Sequence, residues 1–386
     1  MHDRTALGPA DVTDEQLGVM VAKLFGEQPD DVNLTSSRAD VVDYALPAIT
    51  TAGRYWVRGD AEVGGSPRRF VLFVKHVQSW GRSPLFAEVP PEIAEMAEAG
   101  VPWRTEPLAY RSDLARRLPE GFTMPRTLGV FDLDEKSASI WLEEVVVEPV
   151  IWDHARFARA AYLLGRLAAS PSVRELAHVG QFEWTVFTYL FGRLEHEVLP
   201  ALRDESIWSH PLVSTAFEDD LRQRLVEAAD AAPAYVEELA ALPTATGHGD
   251  ACPNNLLVRP AVQDFVLIDY GFWAELPIGF DLSQLMVGDI QVGRRTADDL
   301  EELEEVILPA YVEGLRAEGN DVPESVVRRA HALQLLIFTG LSTLPVEHLD
   351  APLTPELLHV SAQRAAIARF SLDLVESTAQ VSSRPG

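Results

Sequence analysis

Residues 247–255 have the sequence Gly-His-Gly-Asp-Ala-Cys-Pro-Asn-Asn, and the apolar run Phe-Val-Leu-Ile at residues 265–268 follows and ends at Asp269. The run is typical of a short strand buried on both faces, so Asp269 would leave the end of a buried strand. The proline and the asparagine pair favour a tight loop, which would turn the amide oxygen of Asn255 back toward Asp250. Carboxylate and amide oxygens that meet at one point can hold a divalent cation and orient a hydroxyl group. The spacing therefore indicates a phosphoryl-transfer centre.

The order of these residues resembles the aminoglycoside phosphotransferase and choline kinase superfamily, which consists of small-molecule kinases with a protein-kinase-like fold. The resemblance rests on His-Gly-Asp at 248–250, Asn255, Ile-Asp at 268–269 and Gly-Phe-Asp-Leu at 279–282. It implies that Asp250 is the catalytic base, that Asn255 and Asp269 bind Mg²⁺, and that ATP is the phosphoryl donor. It also implies that His248 and Asp281 brace the catalytic loop; we count His248 with the catalytic residues in this bracing role. The expected fold is α+β and bilobal, with an antiparallel sheet in the small lobe and a large, mainly helical lobe.

A lysine in a mostly apolar strand is the first candidate for phosphate binding. Lys75 lies within Phe-Val-Leu-Phe-Val-Lys-His-Val at residues 70–77. A buried lysine needs a partner or a phosphate, although a lysine at a strand end can also extend to water. The resemblance implies that Lys75 contacts the α- and β-phosphates of ATP and that a helical glutamate holds it. We assign this glutamate to Glu106; the competitors, on an earlier short helix, are Glu92, Glu95 and Glu98.

The stretch that would cover the phosphates departs from the family's pattern. Residues 47–53, Pro-Ala-Ile-Thr-Thr-Ala-Gly, contain one glycine, so no Gly-rich loop is present there. We expect backbone N–H groups and the hydroxyls of Thr50 and Thr51 to cover the phosphates instead. Neither a Walker A loop nor a Gly-x-Gly-x-x-Gly sequence occurs in the chain. The segment from Glu144 to Val146 resembles the hinge whose backbone binds adenine in this family, although a plain edge strand would have the same composition.

The hydrophobic pattern divides the chain into an N-terminal part rich in strands and a C-terminal part rich in helices. We predict a helix within residues 11–32, followed by strands at 41–49, 54–63, 69–77, 124–131 and 139–147, with a hairpin turn at 50–53. Further helices are predicted at 154–169, 182–202, 221–242, 296–315, 324–344 and 355–376. The boundary is placed near Glu148. It gives an N-terminal nucleotide-binding lobe, 1–147, and a C-terminal helical lobe, 148–386, that carries the catalytic loop and the acceptor site.

The charge balance excludes two classes of partner. The chain has 32 Lys and Arg against 59 Asp and Glu, a formal net charge of −27. Nucleic acids and anionic membranes require basic patches, so neither is expected as a partner, whereas a cationic small molecule is permitted. The best apolar stretch, 332–344, is shorter than the roughly 18 residues of a membrane span, and the N-terminus lacks the apolar segment of a secretory signal. We therefore expect a cytoplasmic protein whose oligomeric state the sequence leaves open.

The expected acceptor is a hydroxyl group of an aminoglycoside-like molecule or another amino or sugar alcohol, with a metabolic sugar or choline-type kinase as the alternative; the sequence does not identify the molecule itself. The family phosphorylates aminoglycosides, choline, sugars, macrolides and homoserine. On the helix predicted at 296–315 the non-apolar face is acidic, and a solvated surface is the favoured interpretation over a site for a polycation. The aromatic side chains near Trp184 could line an acceptor pocket, but core packing is favoured there too. The acidic face consists of Asp298, Asp299, Glu301, Glu302, Glu304 and Glu305.

Two other functions compete with a kinase. The first is a thiol hydrolase that uses Cys252 with His248 as base, although such pairs are usually distant in sequence and Lys75, Glu106 and Asp269 would then have no role. The second is a pseudokinase, a binding module that has kept the fold and lost the chemistry. The poor phosphate loop favours it and the complete set of chemical residues opposes it.

Overall fold

The computed structural model of the protein describes residues 2–44, 48–259 and 264–382. The strands in these ranges are β1 His2–Asp3, β2 Val32–Val41, β3 Thr51–Val63, β4 Ser66–Gln78, β5 Phe122–Thr123, β6 Thr127–Asp134, β7 Ser137–Glu143, β8 Thr244–Gly247, β9 Leu256–Val258, β10 Phe265–Leu267 and β11 Ala274–Pro277. The α-helices there are α1 Asp14–Phe25, α2 Ala94–Ala99, α3 Thr105–Arg111, α4 His154–Ala169, α5 Pro171–Arg174, α6 Val186–Tyr189, α7 Leu199–Arg203, α8 Glu205–Ser209, α9 Pro211–Ser214, α10 Asp219–Ala240, α11 Phe280–Gln291, α12 Leu300–Ala317, α13 Glu324–Phe338 and α14 Pro355–Ser382. A π-helical segment, Leu190–Val198, joins α6 to α7.

A six-stranded sheet forms the N-terminal part of the described chain, with the strand order β1-β2-β3-β4-β7-β6. Its strands pair antiparallel except for β1 with β2. The turn between β3 and β4 uses Gly64 and Gly65, which both have a positive φ that glycine adopts without a steric penalty. Helices dominate the chain after β7. The predicted α+β fold, with an antiparallel sheet followed by a mainly helical part, is confirmed.

The two faces of this sheet pack against different partners, because side chains alternate along a strand. On β4, Leu72 and Val74 are fully buried in a small core that also contains Leu17 and Val21 of α1. On the opposite face of β4, Val77 belongs to the large core, together with Tyr110 of α3. Lys75 is two residues from Val77, so it points to the same face. The sheet therefore presents this lysine toward α3 and the helical part.

Helices α4 and α12 pack closely at the centre of the large core because each has a glycine at the contact. A Cβ atom built on Gly165 of α4 would lie 2.1 Å from the carbonyl oxygen of Tyr311, and one on Gly314 of α12 would lie 2.0 Å from that of Tyr162. No side chain fits at these distances, so the backbones meet directly.

We expect Gly165→Ala to destabilise the protein by about 1–3 kcal/mol, because the added methyl group must push two packed backbones apart. Gly18 of α1 is the matched control, since a Cβ atom there meets nothing within 4 Å. Gly18→Ala should be neutral or stabilising by about 0.5–1 kcal/mol, through helix propensity alone. Chemical denaturation of the two variants measures both effects. Equal behaviour of the two variants would contradict the close helix contact.

The structure corrects the first strands of the prediction. Val41 is the last residue of the strand Val32–Val41, but residues 42–44 and 48–49 of the strand predicted at 41–49 form no strand, and residues 45–47 lie outside the described part of the chain. The strand Val32–Val41 was missed because it has few apolar residues and buries Ser37, whose hydroxyl accepts a hydrogen bond of 2.6 Å from Nη1 of the buried Arg4. The hairpin turn predicted at 50–53 is also wrong, because β3 begins at Thr51.

Several predicted helices differ from the observed ones in extent. The helix at His154–Ala169 is confirmed at both ends. The helix predicted at 182–202 is instead α6, the π-helical segment and α7, and Gly192 within the segment departs from helical backbone angles. The helix predicted from 296 begins at Leu300, and the strand predicted to reach 147 ends at Glu143. Across the described part of the chain, no helix combines the length and the apolar composition that a membrane span needs.

Candidate active site

The loop between β8 and β9 carries the His-Gly-Asp sequence and is fixed by one buried carboxylate. The carboxylate of Asp281 in α11 accepts hydrogen bonds from the backbone N–H groups of His248, at 2.9 Å, and Gly249, at 2.8 Å. Gly249 has a φ of +83°, and a Cβ atom there would lie 2.3 Å from the carbonyl oxygen of Phe272. Position 249 therefore requires glycine, because the backbone has a positive φ and there is no room for a Cβ atom.

His248 is fully buried, and its ring contacts the backbone. Nε2 lies 2.9 Å from the carbonyl oxygen of Ile268 and donates to it, so Nδ1 is the acceptor for the backbone N–H of Asp250 at 3.4 Å. Burial lowers the pKa of His248 and outweighs the opposing effect of the Asp281 carboxylate. The ring is a neutral link between the catalytic loop and the end of β10, which is the geometry of a brace.

Asp250 and Asn255 lie side by side, as the loop spacing predicts, but the amide nitrogen of Asn255 faces Asp250 where the oxygen was expected. The amide Nδ2 of Asn255 donates to the carbonyl oxygen of Asp250 at 2.8 Å and to its Oδ2 at 3.0 Å. This assignment leaves Oδ1 of Asn255 as an acceptor. Burial, and then the nearby charge of Asp269, raise the pKa of Asp250 to about 7. A carboxyl group with that pKa can accept a proton near neutral pH.

Asp269 follows β10 in a left-handed conformation, with a φ of 65°, which is uncommon outside glycine. Its Oδ1 lies 3.0 Å from Nζ of Lys75, and Nζ lies 2.6 Å from Oε2 of Glu106 in α3. Burial disfavours the charged lysine, but Asp269 and Glu106 outweigh it and raise the pKa of Lys75. Burial alone would raise the pKa of Asp269, but the positive charge of Lys75 outweighs burial and holds this pKa below its usual range. The three side chains form one charge cluster, in which Lys75 and Glu106 are buried and the side chain of Asp269 is 36% exposed.

The structure brings Glu106, and none of its three competitors, to Lys75. Glu98 bonds to Lys136 at 2.7 Å, and Glu92 and Glu95 are exposed. Tyr110, one helical turn after Glu106, packs edge-on against Tyr270 with ring centroids 5.5 Å apart. Because Tyr270 follows Asp269 directly, this contact links the position of α3 to that of the carboxylate. No pattern in the sequence predicts this contact.

The remaining predicted nucleotide residues lie at the two ends of the strands that flank Lys75. Thr51 pairs with Val77, and the carbonyl oxygen of Thr50 accepts from the N–H of Gln78 at 2.8 Å, so both threonines lie just beyond Lys75. Glu144 and Val146 follow the end of β7 without regular secondary structure and are exposed. Pro47, the first residue of the predicted phosphate loop, lies outside the described residues.

Two aromatic residues that the sequence analysis did not single out lie on this face. Trp56 of β3 and Phe73 of β4 are register partners, and their rings meet edge to face with centroids 5.2 Å apart. Phe73 precedes Lys75 by two residues, so strand alternation places the two side chains together. That alternation was the signal available in the sequence.

The donor set at the centre fits a hard divalent cation. Asn255 and Asp269 offer an amide and a carboxylate oxygen, and Mg²⁺ is commonly bound by one or two carboxylates with phosphate oxygens and waters completing the shell. Within the described residues, no group of three His, Cys, Asp or Glu side chains could hold a metal ion. A protein-only site of the zinc type is therefore absent from that part of the chain.

The sheet, the Lys75–Glu106 pair and the braced His-Gly-Asp loop define a protein-kinase-like phosphotransferase. The chain belongs to the phosphotransferase enzyme family, whose family model matches residues 114–317. The predicted superfamily and the prediction of a kinase acting on a hydroxyl group are confirmed. The chain matches no curated protein.

Several solved structures are similar to this chain. An aminoglycoside phosphotransferase from Alicyclobacillus acidocaldarius has 15% identity, covers 88% of this chain and 97% of its own, and gives a TM-score of 0.49. A spectinomycin phosphotransferase in complex with ADP and spectinomycin has 11% identity, and the match covers 96% of this chain and 99% of that chain with a TM-score of 0.46. A choline/ethanolamine kinase family protein from Mesorhizobium loti has 15% identity, and the match covers 88% of this chain and 92% of that chain with a TM-score of 0.46.

Cys252 is not placed to act as a nucleophile. Burial, and then the charge of Asp250, raise the pKa of its thiol to about 12, so the thiolate is disfavoured. His248, the base that a thiol hydrolase would need, has both ring nitrogens directed at the backbone.

We expect Cys252→Ser to retain kinase turnover, because the sulfur atom is not part of the charge cluster and a serine oxygen can keep its contacts with the backbone N–H groups of Asn254 and Asn255. The measurement is steady-state ATP consumption by wild type and variant. Loss of turnover in a variant that melts at the wild-type temperature would mean that the thiol takes part in catalysis.

Proposed function

We propose that the protein transfers the γ-phosphoryl group of ATP, with Mg²⁺, to a hydroxyl group of a small amino or sugar alcohol. The observation that supports this best is the convergence of Asp250, Asn255 and Asp269 with the Lys75–Glu106 pair. These groups come from the catalytic loop, β10, β4 and α3, and no shared structural role requires all of them at one point.

Asp250 would act on the acceptor. Its carboxylate accepts the proton of the acceptor hydroxyl while the hydroxyl oxygen forms a bond to the γ-phosphorus and the bond to the β-phosphate oxygen breaks, leaving ADP. A base with a pKa near the working pH suits this step and contributes roughly 10²- to 10⁴-fold to the rate. Asn255 holds this carboxylate through the 3.0 Å hydrogen bond to Oδ2.

Asn255 and Asp269 would hold Mg²⁺, and Lys75 would hold the α- and β-phosphates. The metal supplies positive charge against the triphosphate. Lys75 is fixed by Glu106 at 2.6 Å, so it keeps its orientation when it contacts a phosphate. His248 and Asp281 position the loop and do not contact the substrate.

The proposed nucleotide site lies on the inner face of an N-terminal lobe, 1–147, against a C-terminal lobe, 148–386. Glu144 and Val146 would place adenine by their backbone groups, next to the ring pair of Trp56 and Phe73. Thr50 and Thr51 would approach the phosphates, since both lie just beyond Lys75 at the start of β3.

The acidic face of α12 and the aromatic residues near Trp184, the two candidate acceptor surfaces, favour a small amino or sugar alcohol over a long polycation. The acidic face of α12 is smaller than predicted, because Glu304 is buried and bonds to Arg328 at 2.7 Å, and Asp299 bonds to Arg295 at 2.5 Å. The aromatic ring of Trp184 packs against Phe280 and Phe338, with centroids 5.4 and 5.7 Å apart, so this cluster belongs to the core, and Phe280 precedes the brace Asp281.

The test is ATP consumption with Mg²⁺ across a panel of acceptors: aminoglycosides, amino alcohols such as choline and ethanolamine, and neutral sugars, with Asp250→Asn as control. Turnover with one class that disappears in the control establishes the proposal and identifies the acceptor. A thermal shift with Mg-ATP but no consumption with any acceptor would favour the pseudokinase instead. No thermal shift and no consumption would overturn the nucleotide site.

A further inference from the structure

A second cation lies beside Lys75 on the inner face of the sheet. Arg54 of β3 is the register partner of Lys75 of β4, and paired residues on neighbouring strands point to the same face. Residues 51–53 precede it with a register shift between Thr51 and Gly53, at the end of the strand where the phosphate cover is expected. Arg54 therefore flanks the predicted phosphate site from the side opposite α3.

The guanidinium of Arg54 is linked to the catalytic loop through Tyr44. Its central carbon lies 4.2 Å from the centroid of the Tyr44 ring. The hydroxyl of Tyr44 accepts a hydrogen bond of 2.9 Å from Nδ2 of Asn254, the residue before the candidate metal ligand Asn255. Oδ1 of Asn254 accepts from Nη1 of Arg294 at 3.1 Å, which fixes the amide orientation. A ring stacked on one face leaves the edge of the guanidinium, with its N–H donors, available.

Arg54 has no ion-pair partner among residues 2–44, 48–259 and 264–382, although the chain carries a net charge of −27. By contrast, Lys75 is engaged by two carboxylates. Arg54 nevertheless acts on the same cluster at longer range, because its charge is among those that lower the pKa of Glu106 and Asp269 against the effect of burial. The charge of Arg54 is thus directed at the site and is not neutralised there.

The charge balance of the site gives this arginine a function. Three carboxylates, Asp250, Glu106 and Asp269, face one lysine, and a triphosphate would add several further negative charges. The stretch before Arg54 has one glycine where a Gly-rich loop would offer closely spaced N–H groups to the phosphates. Arginine is suited to replace them, because its planar donors bind phosphate oxygens in pairs.

We propose that Arg54 is a second phosphate-binding residue, which contacts the ATP phosphates together with Lys75 and takes over the part of a Gly-rich loop. This inference rests on the proposed nucleotide site and adds a residue that the loop motif does not contain. It assigns Tyr44 a positioning role, since its ring supports the guanidinium and its hydroxyl fixes the distance to the catalytic loop.

The test compares ligands that differ only in phosphate number. Calorimetry with Mg²⁺ measures the dissociation constants of ATP, ADP, AMP and adenosine for wild type, Arg54→Gln, Arg54→Lys and Arg68→Gln. Arg68 is the matched control, because it also stacks on a ring, that of Phe25 at 3.8 Å, but lies exposed on the opposite face of β4. Adenosine affinity reports that each variant is folded and that the base site is intact.

We expect Arg54→Gln to weaken ATP binding at least about tenfold and to leave adenosine binding unchanged, since one charge-assisted contact is lost. Arg54→Lys should lie between Arg54→Gln and wild type, because it keeps the charge without the paired donors. Arg68→Gln should bind like wild type. Equal ATP affinity of Arg54→Gln and wild type would overturn the inference, and so would an equal loss for ATP and adenosine. Failure of the wild type to bind any of the four ligands would overturn the proposed function itself.

Discussion

The Asp250→Asn variant should turn over its substrates at least about 100-fold more slowly than the wild type, with ATP affinity almost unchanged. An asparagine keeps the shape of the side chain, and its amide oxygen can still accept the hydrogen bond that Nδ2 of Asn255 gives to Oδ2 at 3.0 Å. It cannot accept a proton from the acceptor hydroxyl. The loop should stay in place, because Asp281 holds the N–H groups of His248 and Gly249 and no bond to the carboxylate of Asp250 is needed for that.

Two measurements separate this outcome from a loss of structure. Single-turnover kinetics on the identified acceptor give the rate of transfer, and calorimetry gives the dissociation constant of Mg-ATP. Asp132→Asn is the control, because Asp132 is a surface carboxylate on β6 that pairs with Arg111 at 3.0 Å. If Asp250→Asn transferred phosphate at the wild-type rate, Asp250 would not be the base and the proposed roles of the loop would need to be reassigned.

The sequence predicts the centre of this site well because its determinants are local. Asp250 and Asn255 are five residues apart in a tight loop. The apolar composition of the strand before Asp269 predicts that it is buried, and in the structure all three residues of this strand, β10, are buried. Lys75 stands out as one charge in an apolar strand. Each of these signals can be recognised within about ten residues, so no knowledge of the distant chain is needed.

The misplaced elements depend on partners far away in sequence. Strand β2 has a polar composition and is held by its pairing with β3 and by the buried bond between Ser37 and Arg4, which local hydrophobicity does not reveal. Glu304 was assigned to the solvated face of α12 by its charge, but it faces Arg328 of α13 and is buried there. The helix period alone does not say which acid meets a neighbouring helix.

The contact between Arg54 and Tyr44 shows the same limit at the site itself. The two residues are separated by the connection between β2 and β3, part of which lies outside the described residues. The register of β3 on β4 decides that Arg54 faces Lys75, and the register shift near Gly53 is not encoded by any motif. A residue of this kind is found only once the sheet is assembled.

The largest combined effect on stability and turnover is expected from Lys75→Met. The lysine side chain is 8% exposed and contacts Glu106, 6% exposed, and Asp269. Methionine fills a similar volume but leaves a buried carboxylate without a partner, a change that typically costs about 3–5 kcal/mol. Turnover should also fall at least about 100-fold, because a fixed positive charge at the phosphates is lost. Lys136→Met is the control, since Lys136 makes an exposed pair with Glu98 at 2.7 Å that is worth at most about 1 kcal/mol.

The double variant Lys75→Met/Glu106→Gln separates the two effects. Glutamine removes the buried charge, so the free energy of unfolding should recover by most of what the single variant lost. Turnover should not recover, because the phosphates still lack the lysine. Denaturant unfolding and ATP consumption, measured on the wild type, Lys75→Met, Glu106→Gln and the double variant, give the full double-mutant cycle. Recovery of turnover together with stability would mean that the pair only holds α3 against the sheet. Failure of the free energy of unfolding to recover would mean that Asp269, at 3.0 Å from Nζ, is the partner that Lys75 stabilises most.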